Sequence, residues 1–288
     1  MATSDELVRG LVDDAGLFPP EELDMAAAVA RHRADRAAAS PVLTHRFVCP
    51  VVRFAELRKH LPDGDRIELI ALGPATWTTC REIEAVLDDP RLVLRGFETV
   101  LPAGAAEREE LLAVADALVA RVPGLEVCVE VGIRPVHGTD LDLLAAHGHR
   151  AKVRCGGVRR EMFPSAAELA AFLVAAAERG LPFKATAGLH HAITHTDGTT
   201  GFGHFGFLDL IAGTARALAG APVAEVEAAL LERDRATVVE ATAGLAAATA
   251  REVRDLFRSF GSCSTSEPVD DLAALGLLST VTAFQHRI

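Results

Sequence analysis

The chain has 288 residues, of which 50% are apolar, so it is long enough for one large α/β domain with a full core or for two small domains. It carries 29 lysines and arginines against 40 aspartates and glutamates, a formal net charge of −11, and this acidic balance without a strongly basic run speaks against nucleic-acid binding through phosphate neutralisation. Apolar stretches stay well short of the ~20 residues of a membrane span, so we expect no membrane partner.

The N-terminal segment and the cysteines both indicate a cytoplasmic protein. Residues 1–16 lack the basic start and the following apolar run of a signal peptide. The five cysteines are scattered without a C-x-x-C pair, which argues against a disulfide framework and against a zinc ribbon. We therefore expect buried thiols in a reducing compartment. Tyrosine is absent, which excludes it as an acid, a base or a nucleophile.

Strand-like and helix-like patterns alternate along the chain as far as residue 187. In chain order they predict strand 7–13, helix 21–38, strand 45–51, helix 55–61, strand 66–72, helix 77–87, strand 92–101, helix 105–122, strand 125–131, helix 141–146, strand 150–155, helix 165–179 and strand 183–187. Ser165 precedes Glu168 by three positions, and this capping-box spacing predicts that a helix begins there.

After residue 187 helical patterns dominate. They predict helices over 203–219, 223–233, 251–257 and 267–278. Two segments are consistent with a closing strand: the short pair Val238-Val239, and residues 258–264, which read as a strand and a turn. The sequence leaves open which of the two is the eighth strand.

The alternation of strands with helices implies βαβ units and a parallel sheet. About eight such units fit a (β/α)8 TIM-type barrel with extra C-terminal helices. We predict one domain over residues 1–288, with a helical insertion or lid around 198–254, because the glycine-rich stretch 198–206 suits a mobile lid. The main rival is a doubly wound sheet. It usually has a G-x-G-x-x-G turn after its first strand, and the segment DAGLFPPEE after Asp13 has none.

Two of the predicted strands contain a lysine where buried parallel strands are normally apolar. Residues 151–157 read AKVRCGG, and residues 183–191 read FKATAGLHH. Because residues two apart share a face of a strand, Lys152 lies beside Arg154 and Lys184 lies beside Thr186, while positions 126, 128 and 130 put two glutamates on one face. If these faces point inward, the barrel mouth holds a cluster of opposite charges. Such a cluster is either catalytic or an internal salt-bridge network that holds the barrel.

A catalytic role for the lysines would follow from their proximity. A lysine that is desolvated beside another cation has a lowered pKa, so it can attack a carbonyl group as a neutral amine and form a Schiff base. A carboxylate within reach would move the protons. The lysine pair therefore favours an enzyme that acts on a carbonyl compound.

Short motifs in the same order resemble those of the class I deoxyribose-phosphate aldolases. Residues 11–17 (LVDDAGL) are similar to that family's I-D-x-T-x-L strand end, 130–132 (EVG) to its E-T-G, 152–156 (KVRCG) to its K-T-S-T-G, 184–188 (KATAG) to its K-A-S/A-G-G, and 261–264 (GSCS) to its phosphate-binding G-T-S-S turn. The resemblance implies that Lys152 is the Schiff-base lysine, that Lys184 lowers the pKa of Lys152, and that Glu98 or Asp14 is the acid/base carboxylate. Residues 260–268 are also similar to the F-G-S-C-S-x-x-E-P ending of an uncharacterised bacterial family, which implies no reaction.

These arguments give two sets of candidate residues. The candidate catalytic residues are Lys152, Lys184, Glu130, Asp14, Glu98 and His190. The candidate substrate-binding residues are Arg154, His191, Thr186, Gly156, Gly157, Ser262 and Ser264. Arg154 and the glycine turns indicate a carboxylate or phosphate on the substrate. We expect a small anionic substrate that contains a carbonyl group, no cofactor, and a homo-oligomer.

Two alternatives stay open at this point. Imidazoles and carboxylates bind zinc, manganese and iron, so a divalent metal ion held by His190, His191, His195 and Glu130 would make the protein a metal-dependent lyase, isomerase or hydrolase. A non-catalytic barrel that binds a small anion is the second alternative. It predicts lysines held in salt bridges and no closed pocket.

Overall fold

Eight parallel strands close into a barrel in the computed structural model, which describes residues 3–278. The barrel strands are β1 Val12–Asp14, β2 Leu43–Pro50, β3 Ile67–Leu72, β4 Leu92–Val100, β5 Glu126–Glu130, β6 Arg150–Arg154, β7 Phe183–Thr186 and β10 Phe257–Ser262. Each pairs with its neighbours in the order β1-β10-β7-β6-β5-β4-β3-β2, and all pairings are parallel. This topology confirms the predicted (β/α)8 barrel with extra C-terminal helices.

Helices follow the strands and surround the barrel. They are α1 Thr3–Val8, α2 Met25–Ala38, α3 Phe54–Lys59, α4 Trp77–Leu87, α5 Ala105–Arg121, α6 Gly138–Ala146, α7 Ala166–Glu178, α8 Phe207–Leu218, α9 Val223–Leu230, α10 Arg235–Ala243, α11 Ala247–Leu256 and α12 Ser266–Ala274. The predicted capping box is present, since the Ser165 side chain accepts from the Glu168 amide and the Glu168 side chain accepts from the Ser165 amide. Single 3-10 turns occur at Val51–Arg53 and Arg160–Met162.

The first predicted strand is wrong in part, and one of the two candidates for the eighth strand is helical. Leu7 and Val8 belong to α1, and β1 spans residues 12–14, so it shares only positions 12 and 13 with the predicted strand. Both side chains are buried and α1 packs against α11, so their burial comes from helix packing; a short apolar run does not distinguish this from a strand. Val238 and Val239 lie in α10, because Asp234 accepts from the Thr237 amide and starts a helix there. The eighth barrel strand is therefore β10.

The barrel wall turns apolar side chains towards the helices and polar side chains towards its interior. On β7, Phe183 meets Phe172 of α7 edge to face at 5.3 Å, and on β10, Phe260 stacks on Phe207 of α8 at 5.3 Å. Lys184, one position beyond Phe183, consequently points into the barrel, since strand side chains alternate. The hydrophobic core thus lies between the wall and the helices, and charged side chains meet in the interior.

The chain between β7 and β10 is the largest addition to the barrel plan. It holds an antiparallel hairpin, β8 His195–Thr196 with β9 Gly203–His204, followed by the four helices α8 to α11. An insertion or lid role for residues 198–254 stays a prediction. Across residues 3–278, none of the helices combines the length and the apolar composition that crossing a membrane requires.

Candidate active site

Three buried charged residues meet inside the barrel where β4, β6 and β7 approach their carboxyl ends. Lys152 and Lys184 are direct neighbours in the register of β6 and β7, and Glu98 reaches them from β4. The Nζ atom of Lys152 lies 2.9 Å from Oε2 of Glu98, and the Nζ atom of Lys184 contacts Oε1 of the same carboxylate. All three residues are 3% exposed. One carboxylate therefore bridges both lysines away from solvent.

Asp13 of β1 completes this cluster from the other side. Its Oδ2 lies 2.6 Å from Nζ of Lys184 and accepts a hydrogen bond from Oγ of Ser259 at 2.7 Å, while its Oδ1 accepts from Oγ1 of Thr44 at 2.6 Å. Burial lowers the pKa of Lys184, but the Asp13 and Glu98 carboxylates outweigh burial, and the pKa is raised above its ordinary value. Lys184 is thus held as an ammonium ion.

Glu98 is ionised for the matching reason. Burial raises its pKa, but the charges of Lys152 and Lys184 and their hydrogen bonds outweigh burial and lower the pKa to about 2. At neutral pH Glu98 is therefore a carboxylate that can accept a proton only when one of its lysines changes position or charge.

A second tier of charge lies nearer the mouth. Arg154 donates from Nε to Oε1 of Glu130 at 2.8 Å, and Oε2 of Glu130 lies 3.4 Å from Nζ of Lys152. Both tiers together balance Lys152, Lys184 and Arg154 against the carboxylates of Asp13, Glu98 and Glu130. The lysines are consequently paired, as the salt-bridge alternative expected.

A cavity of about 750 Å³ opens above this cluster. Lys152, Lys184 and Glu98 form part of its wall, and Arg154, whose side chain is 40% exposed, lies closer to the opening. Its rim includes residues of the β8–β9 hairpin: Asp197, Thr199, Thr200, Phe202 and His204. The volume falls within the roughly 300–1,000 Å³ of typical small-molecule sites. The buried lysines are therefore in contact with a space that a small ligand can enter.

The histidines line this cavity but face separate partners. His190 Nδ1 lies 3.1 Å from Oε2 of Glu267, and His191 Nδ1 lies 3.2 Å from Oδ2 of Asp271. His195 instead contacts the backbone carbonyl oxygen of Ile193 at 3.1 Å. Within the described chain, three or more ligand-type side chains bring their donor atoms within 4.8 Å of one another only at a different place, far from these histidines. The geometry thus gives the proposed metal set of His190, His191, His195 and Glu130 no shared centre.

Asp14, a candidate catalytic residue, lies outside the cluster. Its Oδ1 accepts from Nη2 of Arg31 at 2.5 Å, and its Oδ2 lies 3.0 Å from Nδ1 of His32, both on α2. Burial raises the pKa of Asp14, but His32 and Arg31 outweigh burial and lower the pKa. Asp14 therefore ties β1 to α2, and Asp13, which was not among the candidates, is the aspartate of the interior.

The glycine turns bring the ends of β6 and β7 together. A Cβ atom on Gly156 would lie 2.9 Å from the Cα of Gly188, which itself has a φ of +73°. Neither position accepts a side chain without a shift. Gly157 and Thr186 line the cavity, so these two substrate-binding candidates are in place for contact with a ligand.

The two serine candidates lie at the end of β10 and in the turn that follows it. Ser262 is 2% exposed, and its Oγ has no hydrogen-bond partner among the described residues. Ser264 Oγ accepts from the amide of Glu267 at 3.3 Å at the start of α12. Cys263, between them, lines the cavity with its Sγ 3.8 Å from Nδ1 of His190. The sequence indicated this turn but not that Cys263 and Glu267 would join His190.

Asp13 was missed although its neighbour was considered. The available signal was the alternation of side chains along a strand. Of two adjacent residues in β1 one must point inward, and a lysine on the interior face of β7 needs a carboxylate nearby.

Neither the scan against protein-family models nor the search of curated proteins finds a match for this chain.

Proposed function

We propose that the protein is a carbon–carbon lyase or a related carbonyl enzyme that forms a Schiff base between Lys152 and a small anionic substrate. The observation that carries this proposal is the juxtaposition of Lys152 and Lys184 in register, with Glu98 between them, in the wall of the cavity. The barrel fold is commonly enzymatic, with active sites at the carboxyl ends of its strands, and this cluster lies there.

Lysine usage in the whole chain supports the same assignment. The sequence has three lysines, Lys59, Lys152 and Lys184, and arginine supplies the remaining basic residues. Arginine stays protonated in proteins, whereas a lysine amine can lose its proton and attack a carbonyl carbon. Two of the three lysines are buried in the interior, and Lys59 is exposed on α3. A chain that otherwise relies on arginine thus keeps the ionisable amine at the candidate site.

Lys152 is the better nucleophile of the two interior lysines. Lys184 lies between Asp13 and Glu98, and two hydroxyl groups hold Asp13 in place, so its ammonium form is firmly stabilised. Lys152 shares the carboxylate of Glu98 with Lys184. Its second carboxylate, that of Glu130, lies farther away, at 3.4 Å from Nζ, and is shared with Arg154. Lys152 is therefore the less tightly paired of the two interior lysines.

The chemistry then uses groups already in contact. A proton moves from Nζ of Lys152 to Oε2 of Glu98, 2.9 Å away, and the neutral amine adds to the substrate carbonyl carbon. The new C–N bond forms as the carbonyl π bond breaks, and the oxygen takes up two protons, one returned by Glu98 and one from the amine nitrogen, and leaves as water. The resulting iminium accepts the electron pair of the bond between its α and β carbons as that bond breaks, while Glu98, again a carboxylate, takes the proton of the β-hydroxyl. Glu98 returns that proton to the α carbon of the enamine, and water hydrolyses the iminium to release the second product and free Lys152.

The ammonium of Lys184 keeps a positive charge beside Lys152 throughout, as the resemblance to class I deoxyribose-phosphate aldolases implies. Arg154 near the opening supports an anionic group on the substrate, because its guanidinium is partly exposed to the cavity. The phosphate role implied for residues 261–264, a cytoplasmic location and self-association all stay predictions.

Reductive trapping tests the proposal. The protein is incubated with sodium borohydride and a panel of small aldehydes, keto acids and phosphorylated ketones, and the adduct is mapped by peptide mass spectrometry. We expect an adduct on Lys152 that disappears in Lys152→Arg, which keeps the charge but removes the nucleophile. Lys59→Arg is the matched control and should trap as the wild type does. Adducts confined to Lys59 or to the chain's α-amino group, or no adduct at all, would refute the proposal.

The non-catalytic alternative shares one observation with this proposal, since the lysines are paired. It also expected no closed pocket, and the cavity of about 750 Å³ opens above the lysines, so the cavity alone does not separate the two. Turnover that is lost in Lys152→Arg while the circular dichroism spectrum and the unfolding curve are retained would favour the enzyme.

A further inference from the structure

A second cluster of ligand-type side chains lies at the opposite end of the barrel. Asp116 of α5, His147 at the end of α6 and His149 just before β6 bring their donor atoms within 4.8 Å of one another. Nδ1 of His147 lies 3.0 Å from Oδ2 of Asp116, and Nε2 of His149 lies 3.2 Å from Oδ1. Since β6 runs from residue 150 towards the cavity, these residues belong to the amino-terminal end of the strands.

The backbone holds the two histidines on either side of a glycine. The amide of His149 donates to the carbonyl of Leu144 at 2.9 Å, and the amide of Gly148 donates to the carbonyl of Ala145 at 3.1 Å. With Gly148 at a φ of +69°, this is a Schellman turn, which ends α6 and sets the position of both imidazoles. The spacing His-Gly-His is therefore fixed by the helix end and not by a flexible loop.

The burial and the contacts of His149 are a second, independent indication that these side chains bind a ligand. The residue is 2% exposed, yet its Nε2 has no hydrogen-bond partner within residues 3–278. Asp116 Oδ1 is close enough at 3.2 Å, so the ring nitrogen and the carboxylate are near each other without the alignment of a hydrogen bond. Buried polar atoms are rarely left without a partner, and an imidazole nitrogen close to a second imidazole and a carboxylate suits a shared cation.

We infer that Asp116, His147 and His149 form a binding site for a divalent transition-metal ion, of which Zn²⁺ is the best match. Two imidazole nitrogens and one carboxylate oxygen are zinc ligands, and water would complete a tetrahedron. With metal–ligand distances of about 2.0–2.1 Å, the ligand atoms of such a tetrahedron stand roughly 3.3–3.4 Å apart. The observed 3.0 and 3.2 Å run to the two different oxygens of Asp116, and the three ligand atoms lie within 4.8 Å of one another, so binding needs movements of the exposed Asp116 and His147 side chains.

The place of the site defines its role. An ion held there links α5 to the turn between α6 and β6, on the face of the barrel opposite the cavity. In barrels of this fold the amino-terminal face usually contributes to stability, whereas catalysis takes place at the opposite face. The inference is independent of the proposed Schiff base, because none of its three ligands lines the cavity.

Isothermal titration of tag-free, metal-free protein with zinc chloride at pH 7.5 tests this inference. We expect one ion per chain at this site, and at least a tenfold weaker affinity in Asp116→Asn/His147→Gln, because even groups that only orient metal ligands change affinity about 10–100-fold. Both substitutions are at exposed positions, so the fold should survive. Asp142→Asn/His137→Gln makes the same changes at exposed positions on and before α6 and is the matched control.

A second double variant tests whether zinc binds instead to the histidines of the cavity, which are also possible zinc ligands. The site is supported when His190→Ala/His191→Ala keeps the zinc affinity that Asp116→Asn/His147→Gln loses. It is overturned when the reverse holds, when both double variants bind as the wild type does, or when the wild type binds no zinc at millimolar concentration. At zinc concentrations about 100-fold above the dissociation constant, the wild-type Tm should also rise by roughly 4 °C, and that of Asp116→Asn/His147→Gln should not.

Discussion

Replacing Glu98 by glutamine removes one negative charge from the centre of the cluster and keeps the volume of the side chain. Glu98 contacts Lys152 and Lys184 and has a pKa of about 2 in place of its ordinary 4.5. A difference of this size corresponds to about 3 kcal/mol of folding free energy at pH 7, at about 1.4 kcal/mol for each pKa unit. Breaking a buried ion pair by removing one partner costs a similar amount, about 3–5 kcal/mol.

The stability that Glu98 contributes should decrease as the pH falls. The pKa of Glu98 is lower in the folded state, so its contribution is complete above about 4.5 and is lost as the pH falls towards about 2. The difference between wild type and Glu98→Gln should therefore shrink from about 3 kcal/mol at pH 7 to about 2 kcal/mol at pH 3.5. Urea unfolding followed by circular dichroism at both pH values measures it.

Glu126→Gln is the matched control. Glu126 also meets two cations, Arg46 at 2.7 Å and Arg150 at 2.6 Å, but its side chain is 21% exposed, and solvent screening makes its loss smaller. The reasoning is refuted if Glu98→Gln costs less than about 1 kcal/mol at pH 7, or if its cost is the same at pH 7 and pH 3.5.

Three further predictions concern the glycine turn, a buried carboxyl and the thiols. Gly188→Ala should destabilise the protein by at least about 1 kcal/mol more than Gly220→Ala in urea unfolding, because both glycines have positive φ but only Gly188 would push a Cβ against Gly156; equal costs would contradict the close approach. Burial raises the pKa of Asp209 to about 7, so the stability of the wild type relative to Asp209→Asn should fall as the pH rises from about 4 to 7, and a gap equal at pH 5 and pH 8 would count against it. All five cysteines are buried, and burial raises the pKa of the cavity-lining Cys263 to about 11. Native protein at pH 8 should therefore react slowly with iodoacetamide, whereas urea-unfolded protein should be modified at five sites, as counted by intact mass spectrometry; rapid modification of the native protein would contradict this.

The barrel was predictable because its signals are local and repeated. Strand-length apolar runs alternate with helical patterns, and the Ser165–Glu168 box marks a helix start that the structure contains. The meeting of Lys152 and Lys184 also followed from the sequence, since neighbouring parallel strands place equivalent positions side by side. The prediction of the first strand was wrong in part, because the short apolar run before β1 belongs partly to α1.

The charge states of the cluster could not be predicted in the same way. They depend on which carboxylates cross the interior, and Asp13 and Glu98 reach Lys184 from strands far away in the sequence. The histidines illustrate the same limit. His190 and His191 are adjacent in the chain, yet each ring turns to its own carboxylate on α12, Glu267 and Asp271, because tertiary packing and not sequence proximity sets the direction of a side chain.

The two adjacent aspartates of β1 also protect the barrel against misalignment during folding. Asp13 holds Lys184 inside, and Asp14 holds Arg31 and His32 outside. A slip of β1 by one residue exchanges its faces. In either direction, one aspartate moves into the position of the other, and an apolar residue takes the position left over. One set of basic side chains then loses one of its carboxylate partners, so a strand of only three residues, with few ladder hydrogen bonds of its own, is still favoured electrostatically in one alignment.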